Sequence, residues 1–171
     1  MHEYLGRYLR RGVKPLHQSD SLREGARRLS VEQLTDIPVV NDDGRIVGLF
    51  GEKELLETLT PPYLQGLTDT SFIARDFEDT AENAVKVMGT PVGNVMRDEF
   101  ATLAPDFSVL HCAELFLHRR QGVIPIVEDG RPVALLRRSD LGRAIIEGAA
   151  RLYGKESEVT DAELPPEAAR R

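Results

Sequence analysis

Two stretches of this chain are nearly the same. Residues 37–56 read IPVVNDDGRIVGLFGEKELL, and residues 124–145 read IPIVEDGRPVALLRRSDLGRAI. Pro38 and Pro125 lie 87 positions apart, as do Ser21 and Ser108, Leu22 and Val109, Ala26 and Ala113, and Leu29 and Phe116. Beyond the turn the spacing becomes 86, for Gly44 and Gly130, Val47 and Val133, and Leu55 and Leu141, because NDDG in the first copy is EDG in the second. One repeat of this period means two copies of a folding unit, whereas a solenoid stacks several short ones.

Each copy can be read for local structure. Ser21 and Glu24 have capping-box spacing at a helix start. Leu22, Ala26 and Leu29 then follow at helical intervals and predict one apolar stripe. Residues 37–40 form a short apolar, β-branched run. NDDG and EDG predict hairpin turns whose glycine takes a positive φ. Residues 46–50 and 133–136 are return strands, and helices follow over 52–59 and from Ser139 to about Leu152. A short strand precedes the first helix, over 13–16 and 101–103. The predicted fold is α+β (α/β), with two units of strand, helix, two-stranded hairpin and helix. Each unit leaves one sheet face bare, so two units packed sheet to sheet about a pseudo-two-fold axis would share one core.

The predicted organisation is unit one over residues 4–59, a connector with a short helix over 60–91, unit two over 92–153, and a polar, disordered tail over 154–171. In the connector, TPPYLQGL breaks the preceding helix with two prolines, and DTAENAVKVM predicts a helix N-capped by Asp79 or Thr80. Hydrophobic residues make up 41% of the chain, enough for a core. No apolar run approaches the roughly 20 residues that span a bilayer. The charged N-terminus does not resemble a signal peptide, and Cys112 is the only cysteine, so a reducing, cytoplasmic setting is expected. The net charge of −6 argues against a nucleic-acid partner, even though Arg119, Arg120, Arg131, Arg137, Arg138 and Arg143 cluster, because acids are interleaved with them.

The second copy carries V-x-x-V-M at residues 92–96, T-L-x-P-D-x-S at 102–108, an apolar-Pro-apolar-Val strand at 124–127, a D-G turn, and S-D-L at 139–141. Together these resemble a CBS domain, the module named after cystathionine β-synthase. The first copy matches less fully, lacking the opening Met and the Thr-x-x-Pro. A tandem of this kind resembles a Bateman module. The resemblance implies a non-catalytic regulatory protein, many of whose relatives bind adenine nucleotides or related ligands between the repeats.

Nucleotide-binding members share a segment G-h-x-T/S-x-x-D, with h apolar, whose aspartate accepts the ribose hydroxyls while the following helix N-terminus meets phosphate. In copy two this segment is ALLRRSD. Asp140 is retained with Ser139 before it, and Arg137 takes the hydroxyl position. Arg137 could bind phosphate bidentately, or pair with Asp140 and block the site. In copy one the segment is GLFGEKE, with Gly51 at the hydroxyl position and Glu54 for the aspartate, which makes the weaker cleft. The resemblance implies that each cleft is built by both copies. Asp140 would face Val13, Lys14, Thr35, Asp36, Ile37 and Pro38; Glu54 would face Ala101, Thr102, Val123, Ile124 and Pro125. Asp36 would repel a polyphosphate, which leaves AMP, a nucleoside or S-adenosylmethionine on a par with ADP and ATP as regulatory ligand. No cofactor is required.

His111, Glu114 and His118 share one helical face opposite the apolar stripe and are read as a solvated or subunit-facing surface, with no metal site. Cys112 borders the stripe and is read as a packing residue. No catalytic residues are assigned. The expectation is a stand-alone sensor of an adenosine-type ligand, forming a homodimer and regulating an unidentified protein, with no membrane partner. The alternative is a ligand-free dimerisation or interaction module. An open Asp140 carboxylate favours sensing, and a closed ion pair favours the interaction module.

Overall fold

A computed structural model describes residues 5–61, 76–119 and 121–153. After a 3-10 turn at Leu5–Tyr8, the described elements are β1 (Arg10–Arg11), β2 (Leu16–His17), α1 (Leu22–Glu32), β3 (Asp36–Val40), β4 (Ile46–Gly51) and α2 (Glu52–Leu59). Then come α3 (Asp76–Val87), a 3-10 turn at Val92–Asn94, α4 (Val109–His118), β5 (Val123–Glu128), β6 (Arg131–Arg137) and α5 (Arg138–Tyr153). Two three-stranded sheets result, ordered β2-β3-β4 and β1-β6-β5.

The local signals explain these elements. The Ser21 hydroxyl accepts from the Glu24 amide at 3.3 Å and starts α1. The reciprocal half of the capping box is absent, because Arg27 binds the Glu24 carboxylate at 2.6 and 2.8 Å. Ser108 caps α4 in the same way, accepting from the His111 amide at 3.1 Å. Both turns are glycine hairpins, with φ 73° at Gly44 and 79° at Gly130. Asp129 also has a positive φ of 51°, so the shorter second turn has the type I′ pattern that matches strand twist. The longer first turn is held by Asn41, whose side-chain oxygen accepts from the Asp43 and Arg45 amides at 3.1 and 3.0 Å.

Several sequence expectations are corrected. The strand just before α1 is Leu16–His17, paired parallel to Val39 and Val40, and not residues 13–16. Pro15 has no amide to extend the ladder backwards. In copy two, only Leu103 bridges to the sheet, at Ile126. The amide and carbonyl of Ala101 are instead bonded by the Gln121 side chain at 2.9 and 3.0 Å. The flush contact on α1 is Gly25 and not Ala26: a Cβ at Gly25 would lie 2.6 Å from the Phe50 ring. The connector helix α3 spans Asp76–Val87, so Asp79 and Thr80 lie within it rather than at an N-cap. Asn83 on α3 donates to the Thr58 and Leu59 carbonyls at 3.1 and 2.8 Å, closing the end of α2. The expected tail over 154–171 lies outside the described residues, as do Tyr4 and Arg120.

The two units exchange their opening segments. Leu5 and Leu9 join the core of copy two, among Leu103, Phe116, Ile124 and Leu136. Val92, 87 positions after Leu5, joins the core of copy one, among Leu22, Ile37 and Phe50. The strand pairing is exchanged too: Arg10 pairs with Leu135, and the equivalent Arg97 pairs with Leu49. Val123 and Leu135 also lie in the core of copy one. Each such side chain contributes roughly 1.5–3 kcal/mol on burial, so neither half keeps its core when alone. Among the described residues no helix is long and apolar enough to cross a membrane.

Candidate functional site

Two clefts flank the line where β3 meets β5. In the first, Asp140 is placed by the first turn of α5 and is 7% exposed. Arg137, the last residue of β6, reaches it with two bonds: Nε donates to Oδ2 at 2.6 Å and Nη2 to Oδ1 at 2.7 Å. Both carboxylate oxygens are therefore engaged within the chain. The hydrogen bond to Asp140 raises the pKa of the Arg137 guanidinium above its ordinary value. Arg137 borders a cavity of about 460 Å³ lined by Gln33, Thr35, Gly122, Arg137, Arg138 and Ser139, a volume within the range of small-molecule sites. Asp140 stands behind Arg137 and is not among the lining residues. Arg138 is fixed from behind, donating to the Gln121 carbonyl at 2.7 Å with its guanidinium over the Phe116 ring.

Of the residues expected here, Thr35, Arg137 and Ser139 line the cavity. Ile37 and Pro38 are buried in β3, and Lys14 is exposed with its carbonyl taken by Arg28. Val13 is half-buried against the copy-one core. Asp36 is not the repulsive acid expected. It is 5% exposed and is paired with Arg97, whose Nη2 donates to its Oδ1 at 2.6 Å.

Arg97 also defines the second cleft. Its Nη1 donates to Glu54 Oε1 at 2.7 Å, while Glu54 Oε2 accepts from the Gly51 amide at 3.0 Å. Glu54 is 5% exposed. It acts as the capping acid of α2 and a counter-ion of Arg97, a reach the longer side chain makes possible. Gly51 is required by sterics: a Cβ there would lie 2.6 Å from Asp36 Oδ1 and 2.7 Å from the Thr35 carbonyl. The neighbouring cavity of about 500 Å³ is lined by residues including Lys53, Arg97, His118, Arg119 and Gln121. Val123, Ile124 and Pro125 are buried, Ala101 is held by Gln121, and Thr102 is exposed, so none of these lines it.

Arg97 and Gly122 are the residues the sequence reading missed. The signal for Arg97 was present, since L-G-x-x-L-R at residues 5–10 recurs as V-G-x-x-M-R at 92–97. Arg137 was left between two roles; in this structure it holds Asp140. His111, Glu114 and His118 are exposed on α4. Cys112 is fully buried, and burial pushes its thiol up to about 11.

The family model described as the CBS domain matches the chain twice, over residues 5–60 and 92–147. Among curated proteins, the chain is 26% identical over 137 residues to an A-adding tRNA nucleotidyltransferase of Aquifex aeolicus. That match covers 80% of this chain but only 14% of the enzyme. An uncharacterized protein of Methanocaldococcus jannaschii is 24% identical over 146 residues, covering 78% of this chain and 87% of that protein. Among solved structures, the CBS-pair protein CBSX2 from Arabidopsis thaliana superposes with a TM-score of 0.65 at 21% identity, covering 84% of this chain and 94% of that one. A structure of CBSX2 in complex with AMP gives a TM-score of 0.61 at 20% identity, covering 84% and 96%. At these identities the likeness is one of fold.

Proposed function

The chain belongs to the CBS-domain family, and from that premise we propose that it is a non-catalytic regulatory pair with one usable ligand cleft, the one at Asp140, for an adenosine-type ligand carrying phosphate. The closed Arg137–Asp140 pair is the arrangement expected above to favour the interaction module; what carries the sensing reading is the cavity of about 460 Å³ into which Arg137 and Ser139 open. The Arg137 side chain is 33% exposed while that of Asp140 is 9% exposed, so the arginine end of the pair can change partners at the cavity while the carboxylate stays sheltered. A phosphate can replace the carboxylate as a bidentate partner of the guanidinium. Arg137 then turns to the phosphate and releases both Asp140 oxygens to a ribose diol. A ligand with both groups gains twice; a nucleoside must displace Arg137 with nothing to offer it. Because Asp36 is buried and held by Arg97, it does not line the cavity, and ATP and ADP stand beside AMP.

The Glu54 cleft is assigned no ligand. Arg97 is 17% exposed between two carboxylates at 7% and 5%, and breaking a buried pair costs about 3–5 kcal/mol. The AMP held by CBSX2, a protein of like fold, supports the ligand class.

A second reading is favoured by one observation: both cleft acids are already satisfied within the chain. On that reading the protein is an interaction module acting through dimerisation. Leu110 and Leu117 on α4 and Ile146 and Leu152 on α5 are 72–81% exposed, and a homodimer over this face belongs to both readings. Sedimentation giving only a 19.1 kDa species at high concentration would remove the dimer from both. Thermal unfolding with AMP, ADP, ATP, S-adenosylmethionine and NADH separates the readings. A ligand at 100 times its Kd adds about 2.7 kcal/mol, so a rise in Tm with AMP is expected. No shift with any of the five transfers the assignment to the interaction module.

A further inference from the structure

The Asp140 cleft shares a wall with the buried Arg97 network, formed by Thr35 and Gly122, and Gly122 links cleft and network through its backbone. Its amide donates to Asp36 Oδ2 at 3.0 Å. Its carbonyl accepts from the Arg138 amide at 3.0 Å. Both polar groups of this one peptide residue are thus committed, one to each side of the pseudo-two-fold axis. Asp36 in turn is set by Arg97 at 2.6 Å and by the Thr35 hydroxyl at 3.0 Å.

From this geometry we infer that the Arg97–Asp36 pair positions the Asp140 cleft, acting through Gly122 on the start of α5. The inference deepens the reading above and rests on it, since the wall belongs to the cleft assigned there to the ligand. Arg138, which Gly122 holds, follows Arg137 directly and opens the helix that carries Asp140. A shift of Asp36 therefore reaches the ion pair that must open for a ligand.

The packing leaves little slack along the way. A Cβ at Gly122 would sit 2.2 Å from the Thr35 hydroxyl, and one at Gly51 would sit 2.6 Å from Asp36 Oδ1. Close-packed contacts of this kind transmit displacement rather than absorb it. The amide of Gly122 donates to an ionised acceptor, and such bonds are roughly twice as strong as neutral ones. The arrangement is one-sided. Thr35, the equivalent of Gly122, accepts from the Glu52 amide at 3.0 Å and so holds the start of α2. The position equivalent to Asp36 is Val123, so no carboxylate anchors the wall in the opposite direction. Through this wall the Arg97 network reaches the start of α5; it reaches the start of α2 separately, through Glu54 and the Gly51 amide.

Amide hydrogen exchange on the full chain tests this without a ligand. Asp36→Asn keeps the size of the side chain and removes its charge; Arg97→Gln removes the cation. Each is expected to speed exchange at the Gly122 and Arg138 amides by about tenfold, with the β5–β6 ladder unchanged. Asp36→Asn keeps the test usable where Arg97→Gln fails to fold. Response at the Gly51 amide with Gly122 and Arg138 unchanged would overturn the inference, and so would equal acceleration at every amide, which reports global loosening. AMP titration of the same variants is read separately. Absence of AMP binding to the wild type removes the ligand reading and leaves the exchange result standing.

Discussion

Thr35 and Gly122 occupy the same position in the two copies, yet they touch: a Cβ at Gly122 would lie 2.2 Å from the Thr35 hydroxyl and 3.1 Å from its Cβ. The two repeats therefore meet at equivalent residues, one filling the space the other leaves. Gly122→Ala is expected to destabilise the fold by about 1–3 kcal/mol through overpacking. Adding Thr35→Gly should return part of that loss. Urea unfolding of the two single variants and the double variant checks it, and a purely additive double variant would disprove the contact.

Arg97 predicts a graded pair of losses. Arg97→Ala leaves Asp36 and Glu54 buried without their cation and should cost about 3–5 kcal/mol. Glu54→Ala removes one acceptor and the cap on the Gly51 amide while Asp36 still holds Arg97, so about 1–3 kcal/mol is expected. Denaturant midpoints give both values. Glu54→Ala should also leave AMP affinity unchanged, since its cleft is assigned no ligand.

Cys112 supplies a pH prediction. It is fully buried, and burial raises its thiol from 9.0 to about 11. The folded state keeps a proton that the unfolded chain releases. The stabilising contribution is complete below the unfolded value and is lost as pH rises towards the folded one. Between pH about 8 and about 10.5, the wild type should therefore lose more stability than Cys112→Ala. Parallel urea titrations at the two pH values measure the difference, and equal losses would contradict the burial argument. The native thiol should also resist alkylation.

The sequence made the local structure legible wherever one residue type answers one need. Ser21 and Ser108 marked helix starts, and Gly44 and Gly130 marked turns, because capping and positive φ are set within a few residues. The internal repeat made the paired architecture legible as well. What failed was anything depending on partners distant in sequence. Asp36 looked like a repulsive acid because its cation, Arg97, lies 61 positions away. Glu54 looked like a poor ribose ligand, and its use as a cap for Gly51 emerged only with the backbone in place. The exchange of Leu5 and Leu9 for Val92 and Met96 was written in the repeat, but a missing Met drew attention from the shared L-G and V-G openings. Arg137 pairs with Asp140 three positions on, one of the two roles the spacing offered; the question for a bound ligand is whether its phosphate takes the carboxylate's place.

Calorimetric titration of AMP and adenosine into the wild type, Arg137→Thr and Asp140→Ala tests that question most directly. In the wild type AMP should bind more tightly than adenosine, because only AMP offers Arg137 a phosphate. Asp140→Ala should weaken AMP by about one to two orders of magnitude, from the loss of charge-assisted bonds worth roughly 1.5–3 kcal/mol each. Arg137→Thr should narrow the gap, weakening AMP and improving adenosine as Asp140 is freed. Equal AMP affinity for Asp140→Ala and the wild type, or an AMP preference that survives Arg137→Thr intact, would contradict the account.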